Sequence, residues 1–209
     1  LDAANKGFVD GLASQGFKDG ENIVIDQQNA QADQSNLNSI AQRFVSDRKD
    51  LVLAIATPAA QTMANASHEI PIVGTAITDY VQVKLVQSNE KPGTNVTGPS
   101  DINPVDKQVD LILALKPQAK KIGVIYSSSE VNSQIQAEKM KEYAATKNVE
   151  VVEVTVQNVN DIQQAAQNLV AQHVDAVYTP TDNVVASAIS NLVSIKDAAT
   201  IPVLPAEEG

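Results

Sequence analysis

The sequence predicts an α/β fold of two lobes with one topology, each a parallel sheet covered by helices, joined by a hinge. Three observations carry that prediction. Strand-like and helix-like patterns alternate along the 209 residues, as in strand–helix–strand units. The order of elements in the first half recurs in the second. Between the halves runs "KPGTNVTGPSDINPVDKQ", rich in Pro, Gly and polar residues like a linker between compact units.

In the first half, "ANKGFVDGLASQG" sets Phe8 and Leu12 at helical spacing and reaches Gly16, suited to the left-handed position that closes a helix. "NIVIDQQ" alternates apolar and polar residues and predicts a strand. "DQSNLNSIAQRFVSD" places Leu37, Ile40, Ala41, Phe44 and Val45 on one helix face. "DLVLAIA" is a continuous apolar run, the pattern of a parallel strand covered on both faces. "TPAAQTMANASHE" reads as a helix, "IPIVGTAI" as a strand, and "YVQVKLVQS" as a short helix or turn before "EKPGTNVTG". Past the linker, Asn103 is expected to cap a helix with Pro104 in its first turn and Asp106 close behind, and "VDKQVDLILALKP" carries the apolar stripe.

The second half continues with the strand "KKIGVIY", the helix "SEVNSQIQAEKMKEYAATKN", the strand "VEVVEVTV" and the helix "NDIQQAAQNLVAQ". The strand "DAVYTP", the helix "DNVVASAISNLVSIKDA" and the strand "IPVLPA" follow. Displacing the chain by 125 residues sets 41–45 on 166–170 and Asp50-Leu51-Val52 on Asp175-Ala176-Val177. After an insertion, Ile70-Pro71-Ile72-Val73 falls on Ile201-Pro202-Val203-Leu204. The expected division is lobe one over 1–97, a hinge over 98–104 and lobe two over 105–209. Lobe two opens with a strand before its first helix while the chain begins inside the equivalent helix of lobe one. The repeat therefore leads us to expect that a first strand is missing and that lobe two is truncated.

Composition narrows the function. With 15 basic and 25 acidic residues the formal net charge is -10, which repels a phosphate backbone and argues against nucleic acid as a partner. Zero cysteines remove disulfides, thiolate metal sites and cysteine nucleophiles together. The longest apolar stretches, "LVLAIA" and "VVASAI", fall far short of the roughly 20 residues of a membrane span. "LDAANKGFVDG" lacks the order of a targeting segment. A mature form from which a signal had been removed would look the same.

Candidate binding residues follow from the fold. Ligands of open α/β sheets bind beyond the carboxyl ends of the strands, where helix N-termini point free N–H groups. In lobe one this selects Thr57, Pro58 and Ala59 after "DLVLAIA", and Thr78, Asp79 and Tyr80 after "IVGTAI". In lobe two it selects the loop after "IGVIY", with Ser128, Ser129, Glu130, Asn132 and Ser133, then Thr181, Asp182 and Asn183 after "AVYTP", and Glu207 after "PVLPA". Hydroxyls with helix N–H groups suit a carboxylate, and Asp79, Asp182 or Glu207 can accept from an ammonium, so the set fits an amino acid zwitterion. Taken singly, Thr57, Ser129 and Thr181 also read as ordinary helix caps.

Enzyme signatures are absent: the chain contains no G-x-G-x-x-G, G-x-x-x-x-G-K-[ST], G-x-S-x-G or H-E-x-x-H. His68 and His173 fall at strand N-terminal ends and read as surface residues, and no His/Asp/Glu cluster has ligand spacing. No cofactor or metal is expected.

The segments "NAQADQSNLNSIAQRFV", "DLVLAIATPAAQ", "IPIVGTAITD", "DIQQAAQNLV", "YTPTDNVVASA" and "IPVLPAEEG" resemble the substrate-binding proteins of one group of ABC transporters, that of tryptophan and other aromatic amino acid binders. The resemblance spans nearly the whole chain. It implies a type I periplasmic-binding-protein fold with two Rossmann-like lobes, a hinge and a ligand enclosed by closure, in an exported monomer, often a lipoprotein, that delivers its ligand to a membrane permease. The positions selected above fall where this family lines its cleft. Two departures bear on the ligand: Ser127-Ser128 stand where Asn-Pro is expected before Ser129, and Tyr80 stands where Pro is expected after Asp79. Tyr80 is open to two roles, stacking on an aromatic ligand or covering the lobe edge. With three Phe, four Tyr and no Trp, aliphatic and peptide-like ligands stay open beside aromatic ones. Two competing readings are the effector domain of a transcription regulator and a two-lobed α/β enzyme.

Overall fold

Both halves fold as strand–helix–strand units, and every strand pairing among the described residues is parallel. The computed structural model describes residues 1–192 and 201–206. Contacts divide the chain into two compact units, Leu1–Asp101 and Ile102–Gly209.

Unit one contains α1 (Asp2–Ser14), α2 (Gln34–Ser46), β1 (Val52–Ile55), α3 (Thr57–Ala66), β2 (Ile72–Thr75) and β3 (Val96–Thr97), in the sheet order β1-β2-β3. Gly16, at φ 87, closes α1 as its sequence predicts, with the Phe17 amide donating to the Leu12 carbonyl at 2.9 Å. Asp33 caps α2 by accepting from the Asn36 amide at 2.8 Å. The α2 stripe buries Ala41 and half-buries Leu37, Ile40, Phe44 and Val45.

Three expectations for unit one and its exit are corrected. "NIVIDQQ" forms no strand: Ile23 makes only an isolated bridge with Asp19, and Val24 is 89% exposed. Alternation makes a strand only where a neighbouring strand supplies a ladder, and β1 pairs with β2 alone. The segment is tied locally instead, the Ile25 amide donating to the Asp19 carboxylate at 2.8 Å. Second, the stretch read as linker contains β3, two residues too few for alternation to reveal. Asn95 anchors it, its Nδ2 donating to the carbonyls of Ser67 at 2.9 Å and Ile70 at 2.7 Å. Third, Pro104 takes the half-helical position before the next helix, and no side chain caps that end. The Asn103 carbonyl, not its side chain, receives the Val105 amide. "YVQVKLVQS" resolves into turns, with the Leu85 amide on the Tyr80 carbonyl at 2.9 Å.

Unit two contains α4 (Val105–Leu115), β4 (Lys121–Ser127), α5 (Val131–Thr146), β5 (Glu150–Val156), α6 (Ile162–Ala171), β6 (Ala176–Thr179), α7 (Asn183–Ser187) and β7 (Val203–Pro205), in the sheet order β5-β4-β6-β7. Strand β4 is buried from Ile122 to Ser127. Its period of two sends Val124 and Tyr126 into a core with Val109, Ile112 and Met140, and Ile125 into an opposite core with Ile162, Leu169 and Leu192. Burying each large aliphatic side chain of these two layers stabilises the unit by about 2 kcal/mol. The helix read over "DNVVASAISNLVSIKDA" breaks at Ala188, and the end of that stretch lies outside the described residues.

The internal repeat extends to register. Val52 pairs with Ile72 in unit one, and the equivalent Val177 pairs with Val203 in unit two. The Val52 amide donates to Pro71 at 3.0 Å and the Val177 amide to Pro202 at 2.9 Å. Arg48 (φ 54) and His173 (φ 57), also at equivalent positions, are the left-handed residues that follow α2 and α6. His173 thus has a backbone role.

Close approach of backbone to backbone makes Gly98 indispensable to unit one. It sits at φ +152, and a Cβ there would stand 2.0 Å from the Gly74 carbonyl oxygen. Gly98→Ala is expected to lower stability by about 2 kcal/mol or more, seen as a drop in thermal midpoint. Gly7, in α1, has nothing within 4 Å of the place a methyl group would take, and Gly7→Ala should be neutral or stabilising by about 0.5 kcal/mol. Equal midpoints for the two variants would contradict this packing.

Candidate ligand-binding site

In unit one the carboxyl ends of β1 and β2 both carry alanine in backbone conformations that side chains disfavour. Ala56, at φ 77 and ψ 156, precedes α3, and Ala76 follows β2 at φ 53. Such strain persists only where the surroundings over-determine it, and it concentrates at ligand sites. Ala56 is held by its amide on the Thr75 carbonyl at 2.9 Å and by the Ala60 amide on its own carbonyl at 3.2 Å. Thr57 begins α3 and is 1% exposed; Pro58 and Ala59, half-buried, complete the first turn. No side chain caps α3, which leaves its first N–H groups for other partners.

After β2, Thr78 is buried and its carbonyl accepts from Ser100 Oγ at 2.8 Å. Asp79 is half-buried, and its Oδ1 organises the next turn by accepting from the amides of Val81 and Gln82, both at 3.0 Å. Tyr80 differs from its neighbours. It is 4% exposed, with its ring in the space left by Gly74 and Gly98, and burial raises its phenol to about 12. An interior ring offers no open face for stacking, which corrects that role for Tyr80.

In unit two Glu130, Asn132, Ser133, Thr181, Asp182 and Asn183 meet in one largely buried network. Asp182 caps α7, its Oδ1 accepting from the Val185 amide at 2.9 Å, while Oδ2 accepts from the Ser127 amide and from Ser133 Oγ, each at 2.7 Å. Glu130 answers from the opposite loop. Its Oε1 accepts from the amides of Asn183 at 2.9 Å and Val184 at 3.3 Å, and its Oε2 from Asn183 Nδ2 at 2.8 Å. Asn132 Nδ2 donates to the Thr181 carbonyl at 2.6 Å. Thus the turn after β4 and the turn after β6 are cross-linked by two carboxylates, Glu130 at 3% exposure and Asp182 at 1%.

Sequence reasoning missed the support beneath. Gln136, 2% exposed, accepts the Thr181 amide at 3.2 Å on Oε1 and donates to Thr181 Oγ1. Tyr178 donates to Gln108 Oε1 at 2.8 Å. The signal was present in α5, where Asn132, Ser133 and Gln136 put polar groups on the buried face of the helix. Ser128 and Ser129 are exposed, Asn183 is half-buried, and Glu207 lies outside the described residues.

Among the described residues no cation pairs with either buried carboxylate. Burial raises Glu130 to about 7, with the Asp182 charge as the second cause, and bonds from Asn183, Asn132 and Val184 offset part of the rise. A carboxyl raised by folding favours the neutral form, so its contribution to stability is complete below its ordinary range and is lost as pH rises through about 7. Glu130→Gln should therefore gain stability relative to the native protein between about pH 5 and about pH 8, by up to about 3 kcal/mol. Thermal midpoints of both proteins at the two pH values measure it. A constant difference would mean that Glu130 does not titrate in this window.

Comparison with known proteins agrees with this architecture. The family model for ABC transporter substrate binding proteins matches residues 1–209. A tyrosine-binding protein of Clostridioides difficile (strain R20291) is 48% identical over 209 residues, all of this chain and 60% of the relative, so the chain spans three fifths of that protein's length. The structure of a conserved domain protein from Vibrio cholerae gives a TM-score of 0.93 at 40% identity, over 99% of this chain and 69% of that one. An ABC domain from Streptococcus pneumonia in complex with L-Trp gives 0.89 at 42% identity, over 96% and 67%. At 16% identity, a leucine-binding protein from Thermotoga maritima shares the fold with a TM-score of 0.61, so the α/β class read from the sequence is the type I periplasmic-binding-protein class. The chain belongs to the family of ABC transporter substrate-binding proteins.

Proposed function

We propose that this protein is an extracytoplasmic receptor of an ABC importer that binds an aromatic amino acid and presents it to a membrane permease. The observation that carries the reading is its similarity to a tyrosine-binding protein at 48% identity and to a domain crystallised with L-Trp at 42%. Both similarities favour a transport receptor over a regulator's effector domain or an enzyme. Localisation outside the cytoplasm, through a lipid anchor, belongs to the same proposal. The protein acts as a monomer, and no bond is made or broken. Binding favours whichever of the protein's conformations makes the better contacts with the ligand.

The geometry divides labour among the candidate residues. Asp182, Glu130 and Ser133 spend their hydrogen bonds inside unit two, and we assign them to holding the turns. Ligand contact is assigned to the first turn of α3 at Thr57, Pro58 and Ala59, and to Thr78 and Asp79. In unit two it is assigned to Ser128, Ser129, Asn132, Thr181 and Asn183. Asp79, half-buried, takes the ammonium.

A thermal-shift screen of the full-length protein against the twenty amino acids tests the ligand class. Tyrosine, tryptophan or phenylalanine should stabilise by about 2.7 kcal/mol at a hundredfold excess over Kd, and a response confined to aliphatic amino acids would reassign the ligand. Asp79→Asn keeps Oδ1 as the acceptor of its turn and gives up the exposed bond that Gln82 Nε2 donates to Oδ2, so it should weaken binding about tenfold while lowering ligand-free stability by no more than about 1 kcal/mol. Unaltered affinity in calorimetry would remove Asp79 from the site.

A further inference from the structure

Glu130 and Asn183 are joined in a way that makes the outward chemistry of Asn183 depend on one proton. Glu130 is interior, and the atoms it touches are on α7 and the first turn of α5: the amides of Asn183 and Val184, Asn183 Nδ2, and Asn132 Nδ2 at 3.4 Å. Every one of these is a donor, which is the complement of an ionised carboxylate. The charged group facing it is Asp182, and the other groups around it, from Asn132, Ser133, Thr181 and Asn183, are neutral.

Asn183 is half-buried, with Nδ2 committed to Glu130 at 2.8 Å, and its Oδ1 has no partner among the described residues. An amide has one donating and one accepting end, so the end that Glu130 takes decides the end that remains. An ionised Glu130 takes the NH2 and leaves Oδ1 outward. A protonated Oε2 carries a hydrogen that opposes Nδ2, and rotation of the amide by half a turn restores the bond with Glu130 donating to Asn183 Oδ1. The NH2 group then faces outward.

We propose that Glu130 and Asn183 form a proton-controlled amide switch, in which ionised Glu130 makes Asn183 present a hydrogen-bond acceptor to an amino acid ligand and protonated Glu130 makes it present a donor. The consequence for affinity rests on the function proposed above, in which Asn183 touches the ligand; the rotation itself does not. An outward Oδ1 accepts from the ligand's ammonium, whereas an outward NH2 opposes it, so the zwitterion binds more tightly as Glu130 ionises. Burial together with Asp182 puts that ionisation at about 7. A pH on either side of neutrality therefore selects different faces of the same residue.

Two measurements on the full-length protein test the switch. In the ligand-free state the Asn183 side-chain amide resonances, identified by their loss in Asn183→Ala, should shift between about pH 5.5 and about pH 8.5 with a midpoint near that of Glu130. They should be pH-independent in Glu130→Gln, whose NH2 occupies the place of the protonated oxygen. Affinity for L-tyrosine should rise about tenfold over the same range in the native protein and stay at the low-pH value in Glu130→Gln. Resonances that do not move in the native protein overturn the proposal, and so does a moving amide with pH-independent affinity. Because the native titration needs no variant, misfolding of Glu130→Gln leaves the test standing. If no aromatic amino acid binds at either pH, the proposed ligand falls while the Asn183 resonances still decide the rotation.

Discussion

Two carboxylates buried without a cation constrain the rest of unit two. An ionised group taken out of water is costly unless hydrogen bonds replace its hydration. Here Asp182 and Glu130 draw those bonds from the amides of Ser127, Asn183, Val184 and Val185 and from the side chains of Ser133 and Asn183. The donors come from both turns at the carboxyl ends of β4 and β6. Meeting the demand of the acids therefore fixes the turns against each other, and the apolar layers on either side of β4 hold the strands that carry them.

Unit one solves the equivalent problem with backbone instead of charge. Its turns after β1 and β2 hold Ala56 and Ala76 at positive φ, and the segment after them is pinned by side chain to backbone bonds from Asp79, Ser100 and Asn95. Gly74 and Gly98 leave room for the Tyr80 ring, which fills the interior that a larger residue at either position would block. Stored strain and glycine contacts of this kind are invisible to hydrophobic pattern. They depend on which backbone atoms approach each other.

The two units share a register as well as an order of elements, since Val52 and Val177 pair with the equivalent Ile72 and Val203. Their strand ends carry different chemistry all the same. Thr57 in unit one has Asp182 as its counterpart in unit two, and only the latter becomes a buried acid that caps a helix. One backbone plan thus gives an uncapped helix start in one unit and a charge-organised turn in the other.

Pattern alone determined the α/β class, the strands other than β3, the helices that follow them and the repeat, because periodicity reports which face of each element meets apolar neighbours. The rule that ligands sit beyond strand ends also picked out Thr57, Thr78, Asp79, Thr181 and Asn183, which the fold carries at the carboxyl ends of β1, β2 and β6. What each residue does there was decided by tertiary structure. Whether "NIVIDQQ" becomes a strand depends on a neighbour, and whether Val96–Thr97 pairs depends on where Asn95 finds its carbonyls. Asp182 and Asp79 look alike in sequence, yet one is enclosed by donors from residues distant in the chain and the other remains half-buried. Burial and hydrogen-bond partners are properties of the assembled fold, and it is these that separate Asp182, which ties two turns together, from Asp79, which holds only its own.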